Sequence, residues 1–258
     1  MLIIDSHCHA GKGDGFTGPW NTAAPLKDYL RWADEYRITR TNLFPVFNSD
    51  YEKSNHEVAK IVYSNPSRFY GFAMVHPSRD RGRVFCLVSK AVRQYNFLGI
   101  KVHLHDARIT REVCEAARYF SLPVLYDIMG EISQVYLVAA EYPDVNFIIP
   151  HLGSFTDDWV AQKSFIDPLS RFGNIFTDSS GVRRFEILKE SFERAGAQKI
   201  LFGSDGPWLH PGVELEKIFA LKAHPDELKL ILAGNFLRLT GKQTEARFRP
   251  NADLIHSI

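Results

Sequence analysis

Leu2-Ile3-Ile4-Asp5-Ser6-His7-Cys8-His9 opens the chain as an apolar run that closes on polar residues. The run reads as a β-strand, and side chains alternate faces along a strand. His7 and His9 therefore point to one side, and Cys8 points away from them. Two imidazoles at a strand end make half of a metal site, although a pair in a surface loop has the same spacing. The distinction rests on whether later strand ends bring more ligands to the same place.

Working outward, apolar runs alternate with stretches of helical period. Strands are expected at Leu2–Asp5, Thr41–Phe47, Phe69–Val75, Gly99–Leu104, Pro123–Asp127, Val145–Pro150, Asn174–Asp178 and Lys199–Gly203. Between them, helices are expected at 26–36, 52–63, 82–95, 107–120, 131–142, 157–172 and 183–195, with Pro168 breaking or kinking the sixth. Helices at 213–222, 225–232 and 235–239 close the domain. Short runs such as Phe147-Ile148-Ile149 suit parallel strands buried on both faces. Eight β–α units with right-handed crossovers predict an α/β protein, a single-domain (β/α)8 TIM barrel over residues 1–240. An open doubly wound sheet is disfavoured, because no G-x-G-x-x-G follows the first strand. Residues 241–258 are expected to be a tail that packs on the barrel or is partly disordered.

The length of 258 residues matches the roughly 250 typical of such a barrel. Apolar residues make up 45% and charged residues 24%, ordinary values for a globular chain. A net charge of +1 gives no argument for nucleic acid or an anionic membrane. No apolar run approaches the roughly 20 residues that span a bilayer. Met1 leads into the first strand with no room for a signal peptide, and Cys8, Cys86 and Cys114 show no C-x-x-C spacing. Both features predict a cytoplasmic protein with free thiols. The expected partner is a small molecule; oligomeric state stays open, a homo-oligomer included.

In a barrel, catalytic groups sit at the C-terminal strand ends. His7 and His9 end strand one, Lys101, His103 and His105 share one parity in strand four, and Asp127, His151, Asp178 and Asp205 end strands five to eight. Each also has a bland reading: Asp205-Gly206-Pro207 is a turn signal, and His151 before Leu152-Gly153 suits a cap. Lys101 lies between Ile100 and Val102, so it should enter the lumen and meet a carboxylate or a substrate anion there. His103 is a candidate for substrate binding or for a supporting hydrogen bond. Asp178 reads as an orienting group. The Gly-rich segment Lys12–Ala24 is long for a βα loop and offers Trp20 as a substrate-facing residue. Trp159 and Trp208 read as pocket walls or as core.

Asp5-Ser6-His7-Cys8-His9, Gly99-Ile100-Lys101-Val102-His103, Leu122-Pro123-Val124-Leu125, Ile149-Pro150-His151-Leu152-Gly153, Leu201-Phe202-Gly203-Ser204-Asp205-Gly206-Pro207 and Ala233-Gly234-Asn235-Phe236 resemble successive blocks of the amidohydrolase superfamily. The most similar branch is the amidohydrolase-related one that includes aminocarboxymuconate-semialdehyde decarboxylase. The blocks follow the family order along nearly the whole chain. The resemblance implies that His7 and His9 are metal ligands and that Asp205 is a ligand which also handles the proton of a metal-bound water. It implies that His151 is a ligand or a base near the metal. The departure is in strand five, where the family usually has a histidine ligand and this chain has Asp127, either an oxygen ligand or an empty position.

The expected chemistry is hydrolysis, with one divalent metal activating water toward an amide, ester or lactone. Zn²⁺ fits imidazole ligands, and a second carboxylate at Asp127 favours Mn²⁺ more. Non-oxidative decarboxylation at the same site is the first alternative, with Lys101, Arg183 or Arg184 meeting a substrate carboxylate. A TatD-type nuclease would carry a glutamate in the middle strands where Lys101 stands. A degenerate barrel that binds ligand without catalysis is the last alternative.

Overall fold

The computed structural model describes residues 1–16, 23–155 and 158–242. Trp20 and nearly all of the predicted tail lie outside these residues. The chain winds a parallel barrel of eight strands: Ile4–Lys12, Arg40–Pro45, Phe69–Gly71 with Ala73–Met74, Ile100–His103, Val124–Asp127, Phe147–Ile149, Ile175–Asp178 and Ile200–Leu201. They are called strands one to eight below. Helices pack outside them, and none among the described residues is long and apolar enough to cross a membrane.

Two strands depart from their expected bounds for identifiable reasons. Strand one runs on to Lys12, because Gly11 and Lys12 pair with an antiparallel arm, Ala23–Ala24. Strand three changes partner partway. Its first half pairs with strand two, the Phe72 amide donates to the Leu43 carbonyl at 2.9 Å, and its second half pairs with strand four. The helix Trp159–Arg171 runs through Pro168 instead of breaking there. Pro168 lies in its last turn, so one backbone bond is forfeited, and its ring is buried on the inner face.

Closure between strands eight and one uses backbone beyond the regular ladder. Ser6 donates to the Phe202 carbonyl at 2.9 Å, Asp205 to that of His7 at 2.8 Å, and His9 to that of Gly206 at 2.6 Å. The Asp5 carboxylate reinforces this seam from inside the wall. It accepts the Tyr29 hydroxyl at 2.7 Å, the Ser204 hydroxyl at 2.5 Å and amide at 2.9 Å, and the His7 amide at 3.1 Å. A Cβ on Gly203 would lie 3.0 Å from that of His7 and 3.1 Å from that of Asp178, so only glycine lets the strands approach this closely.

Strand parity divides the core. Ile4, Phe44, Tyr70, Phe72, Leu125, Ile148, Phe176 and Leu201 fill the lumen, and Phe236 and Leu237 of the helix Asn235–Leu239 plug the end where the strands begin. Outward-facing residues such as Ile100, Val102, Val124, Tyr126, Phe147 and Ile149 pack beneath the helices. The register aligns Lys101, Leu125, Ile148 and Phe176 in one row across strands four to seven. Lys101 thus takes a lumen position that its neighbours fill with apolar side chains.

Replacing Asp5 with alanine leaves buried donors of strands one and eight and of Tyr29 without an acceptor. Each orphaned buried donor costs about 1–3 kcal/mol. Denaturant unfolding at pH 7 is expected to show Asp5→Ala less stable by about 3 kcal/mol or more. A loss below about 1 kcal/mol would show that the seam does not depend on this carboxylate.

Candidate metal centre

The strand ends bring His7, His9, Lys101, His103, Asp127, His151 and Asp205 around one cavity of about 460 Å³. Phe47, Met129, Phe155 and Trp208 line its upper walls. Of the two tryptophans weighed as walls, Trp208 packs against the His9 ring at 4.5 Å, whereas Trp159 lies under Arg184 on the surface. Arg184 pairs with Glu186 on that surface.

Hydrogen-bond partners fix which nitrogen of each imidazole carries the proton. His7 Nδ1 lies 2.7 Å from Asp178 Oδ2, His9 Nδ1 lies 3.3 Å from the Pro45 carbonyl, and His151 Nδ1 lies 2.9 Å from the Ser180 carbonyl. Each partner is an acceptor, so each Nδ1 is the donor. The three Nε2 atoms are then lone pairs. Two of them, on His7 and His9, face the same Asp205 Oδ1, each at 3.3 Å. The third, on His151, faces Asp127 Oδ2 at 3.6 Å. Lone pairs that converge on carboxylate oxygens repel unless a cation lies among them. Among the described residues, one ligand atom each from His7, His151 and Asp205 lie within 4.8 Å of one another. The donor set of imidazoles and carboxylate fits a divalent ion.

The ionisation states agree with this reading. Burial pulls the His7 imidazole below its usual range against the charge of Asp178, and burial takes His9 down to about 4. Both rings are therefore neutral at pH 7. Burial alone would raise the Asp178 carboxyl, but the His7 Nδ1–H and the Ser180 hydroxyl beside it hold it below the usual carboxylate range.

Asp178 orients rather than faces the cavity. Its Oδ2 holds His7, while its Oδ1 accepts the Ser180 amide at 3.0 Å and hydroxyl at 2.5 Å. Ser180 in turn accepts a hydrogen bond from His151 Nδ1–H, so one carboxylate sets two of the imidazoles. The backbone is strained at the same place: φ is +59° at His151, +52° at Leu152 and +56° at Asp205, all in the left-handed region. Gln162 secures the first of these turns by donating to the carbonyls of His151 at 3.0 Å and Ser154 at 2.7 Å.

Strand four and strand five supply a second group. His103 Nδ1 accepts the His105 amide at 3.1 Å, so its Nε2 carries the proton and donates to Asp127 Oδ2 at 3.2 Å. Asp127 Oδ1 accepts the Met129 amide at 3.0 Å. Burial works to raise the Asp127 carboxyl, but His103, Lys101 and His151 bring it well below its usual value. Both nitrogens of His103 are thus engaged within the protein, at the edge of the cavity. Ser180, Phe155 and Met129 had no motif to mark them. Ser180 was legible only as a neighbour of Asp178.

Comparison with known proteins places this site in a family. The amidohydrolase family model matches residues 4–241, and the chain belongs to that family. No curated protein matches the sequence. Among solved structures, the fold is similar to a 5-carboxyvanillate decarboxylase from Sphingomonas paucimobilis, with 13% identity and a TM-score of 0.73 over 93% of this chain and 99% of that one. It is similar to a dihydroxybenzoic acid decarboxylase from Polaromonas sp. JS666 with bound manganese, with 16% identity and a TM-score of 0.71 over 93% and 97%. A probable 2-pyrone-4,6-dicarboxylic acid hydrolase from Acinetobacter baumannii has 17% identity and a TM-score of 0.70 over 93% and 100%.

Two outcomes are expected for metal content measured by elemental analysis. His7→Ala combined with His9→Ala abolishes bound divalent metal, and Asp178→Asn weakens affinity about 10- to 100-fold through loss of ligand orientation. Lowering the pH from 7.5 to 6 leaves the metal in place, because the His9 value of about 4 keeps that ligand neutral there. Loss follows only as pH falls toward the His9 value of about 4, where protons compete for Nε2. Metal lost by pH 6 would contradict the assigned ionisation states.

Proposed function

We propose that the protein is a metal-dependent hydrolase that adds water to an amide, ester or lactone of a small molecule. The observation that carries this is the convergence of the His7 and His9 Nε2 lone pairs on Asp205, with that of His151 close by. His7, His9, His151 and Asp205 would hold one divalent cation. When bound, the ion supplies Lewis acidity that polarises a carbonyl and eases deprotonation of water. Zinc suits this imidazole-rich set; manganese, present in the Polaromonas relative, is the alternative.

The chain's own groups do the rest. Asp205 is ionised at neutral pH and accepts the proton of the attacking water, then returns it to the departing nitrogen or oxygen. His151 is held by Ser180 with its Nε2 toward the cavity, beside the reacting centre. Asp127 closes the strand-five side. Both its oxygens are engaged, by Met129 and His103, so its assigned role is to steady that wall and face His151 rather than to bind the ion directly. Phe155 and Trp208 limit access of bulk water.

Decarboxylation is the second reading, favoured by the two decarboxylases among the similar folds. Labelled water separates the two. Hydrolysis incorporates ¹⁸O into the product without carbon dioxide release, and Asp205→Asn lowers kcat about 10²- to 10⁴-fold. Stoichiometric carbon dioxide without ¹⁸O incorporation would overturn the hydrolase reading.

A further inference from the structure

The loop after strand seven, residues 179–182, divides its polar groups between two neighbours. On the cavity side, the Ser180 carbonyl accepts from His151 Nδ1 at 2.9 Å, and the Ser180 hydroxyl donates to Asp178 at 2.5 Å. The other neighbour is the helix Pro211–Ala220, which follows strand eight. Its Glu214 Oε2 accepts the Gly181 amide at 3.0 Å. Its Lys217 Nζ donates to the carbonyls of Ser179 and Val182 at 3.3 and 2.9 Å, and to Glu214 Oε2 at 2.6 Å. Ser180 is thus flanked on both sides by residues whose backbone this helix holds.

Glu214 and Lys217 stand one helical turn apart, and an exposed ion pair at that spacing does little for a fold. This pair is withdrawn from water, with side chains 8% and 17% exposed. Burying two charges is costly unless their remaining protons and lone pairs are matched, and the loop backbone matches them. The loop in turn carries two parts of the site. Gly181 has φ of +64°, and a Cβ there would lie 2.7 Å from the Phe155 ring and 3.4 Å from His151 Nδ1. The Ser180 hydroxyl also lies 2.9 Å from His151 Nδ1. Only the carbonyl obliges Nδ1 to donate, because the hydroxyl can itself donate to that nitrogen. If the carbonyl moves away, the hydroxyl can turn to Nδ1, the proton goes to Nε2, and the lone pair that faces the cavity is lost.

We propose that Glu214 and Lys217 are positioning residues of the metal centre: by fixing the backbone on both sides of Ser180, they hold its carbonyl on His151 and keep the His151 Nε2 lone pair open to the ion. This rests on reading the cavity as a metal site. Both residues act through the loop, since the cavity is lined by His151 and Phe155 rather than by either of them. Their effect is confined to one imidazole. Asp178 holds His7 and the Pro45 carbonyl holds His9, and neither bond runs through residues 179–182. Strand eight supplies Asp205, and the helix that follows it steadies a second group of the same centre.

The test records long-range ¹⁵N–¹H correlations of the imidazole rings in the chelated protein at pH 7, and zinc affinity by competition with a chromophoric chelator. Lys217→Met and Glu214→Ala are expected to shift His151 from the Nδ1–H form toward Nε2–H while His7 and His9 keep theirs. Zinc affinity is expected to fall about tenfold, the low end for partners that orient a metal ligand. Glu214→Gln keeps an acceptor for Gly181 but removes the charge facing Lys217. It is expected to show the same His151 shift in smaller measure, and it decides the question alone if the other two variants do not fold. His151 unmoved in every variant that folds overturns the proposal, whatever their stability. A shift of all three rings together overturns it as well and assigns the pair to general stability, and so does a shifted His151 with zinc affinity at the parent value. The correlations need neither metal nor turnover, so a failure of the hydrolase reading shows separately, in metal content and ¹⁸O incorporation.

Discussion

Three imidazoles, each fixed by an acceptor on Nδ1, leave three lone pairs on Nε2 directed at carboxylate oxygens. Asp178 Oδ2, the Pro45 carbonyl and the Ser180 carbonyl do the fixing, and they come from strands two and seven and the loop after it. The arrangement is a constraint on the whole barrel. Strands one, two, six, seven and eight must end at one level for these atoms to meet. The Asp5 seam and the Gly203 close approach serve that alignment, because both lie where strand eight returns to strand one. The left-handed backbone at His151 and Asp205 is a local cost of aiming these side chains inward, offset by the hydrogen bonds around them.

The cavity divides its labour by strand. Strands one, six and eight carry the groups with open lone pairs. Strands four and five carry a lysine with open donors and a His103–Asp127 pair whose polar atoms are engaged. A site whose floor offers converging lone pairs is complementary to a cation. The apolar walls of Phe47, Phe155 and Trp208 lower the local dielectric, which strengthens that interaction.

Much of this was legible in the sequence, for a physical reason. Parallel strands buried on both faces have to be apolar until they emerge, so a polar residue closing an apolar run marks a strand end. His7, His9, Asp127, His151, Asp178 and Asp205 were all visible that way, and parity alone placed Lys101 in the lumen and Cys8 outside it. What parity cannot show is how residues on different strands pair. The engagement of His103 with Asp127, the hold of Ser180 on His151 and the partner change at Phe72 depend on register and on loop paths. Phe155 enters the cavity from an irregular segment with no period to read. Strand five shows the limit most plainly: the sequence marked Asp127 as a departure from the family, and its bonds to His103 and Met129 could not be read from it.

The account stands on the tautomers of His7, His9 and His151, and long-range ¹⁵N–¹H correlation of the imidazole rings reads them directly. At pH 7, in the chelated protein, all three rings should show a protonated Nδ1 and an unprotonated Nε2. Added zinc should shift the three Nε2 resonances and leave each Nδ1 protonated. A proton on Nε2 of any of the three in the chelated protein, or Nε2 signals indifferent to metal, would contradict it.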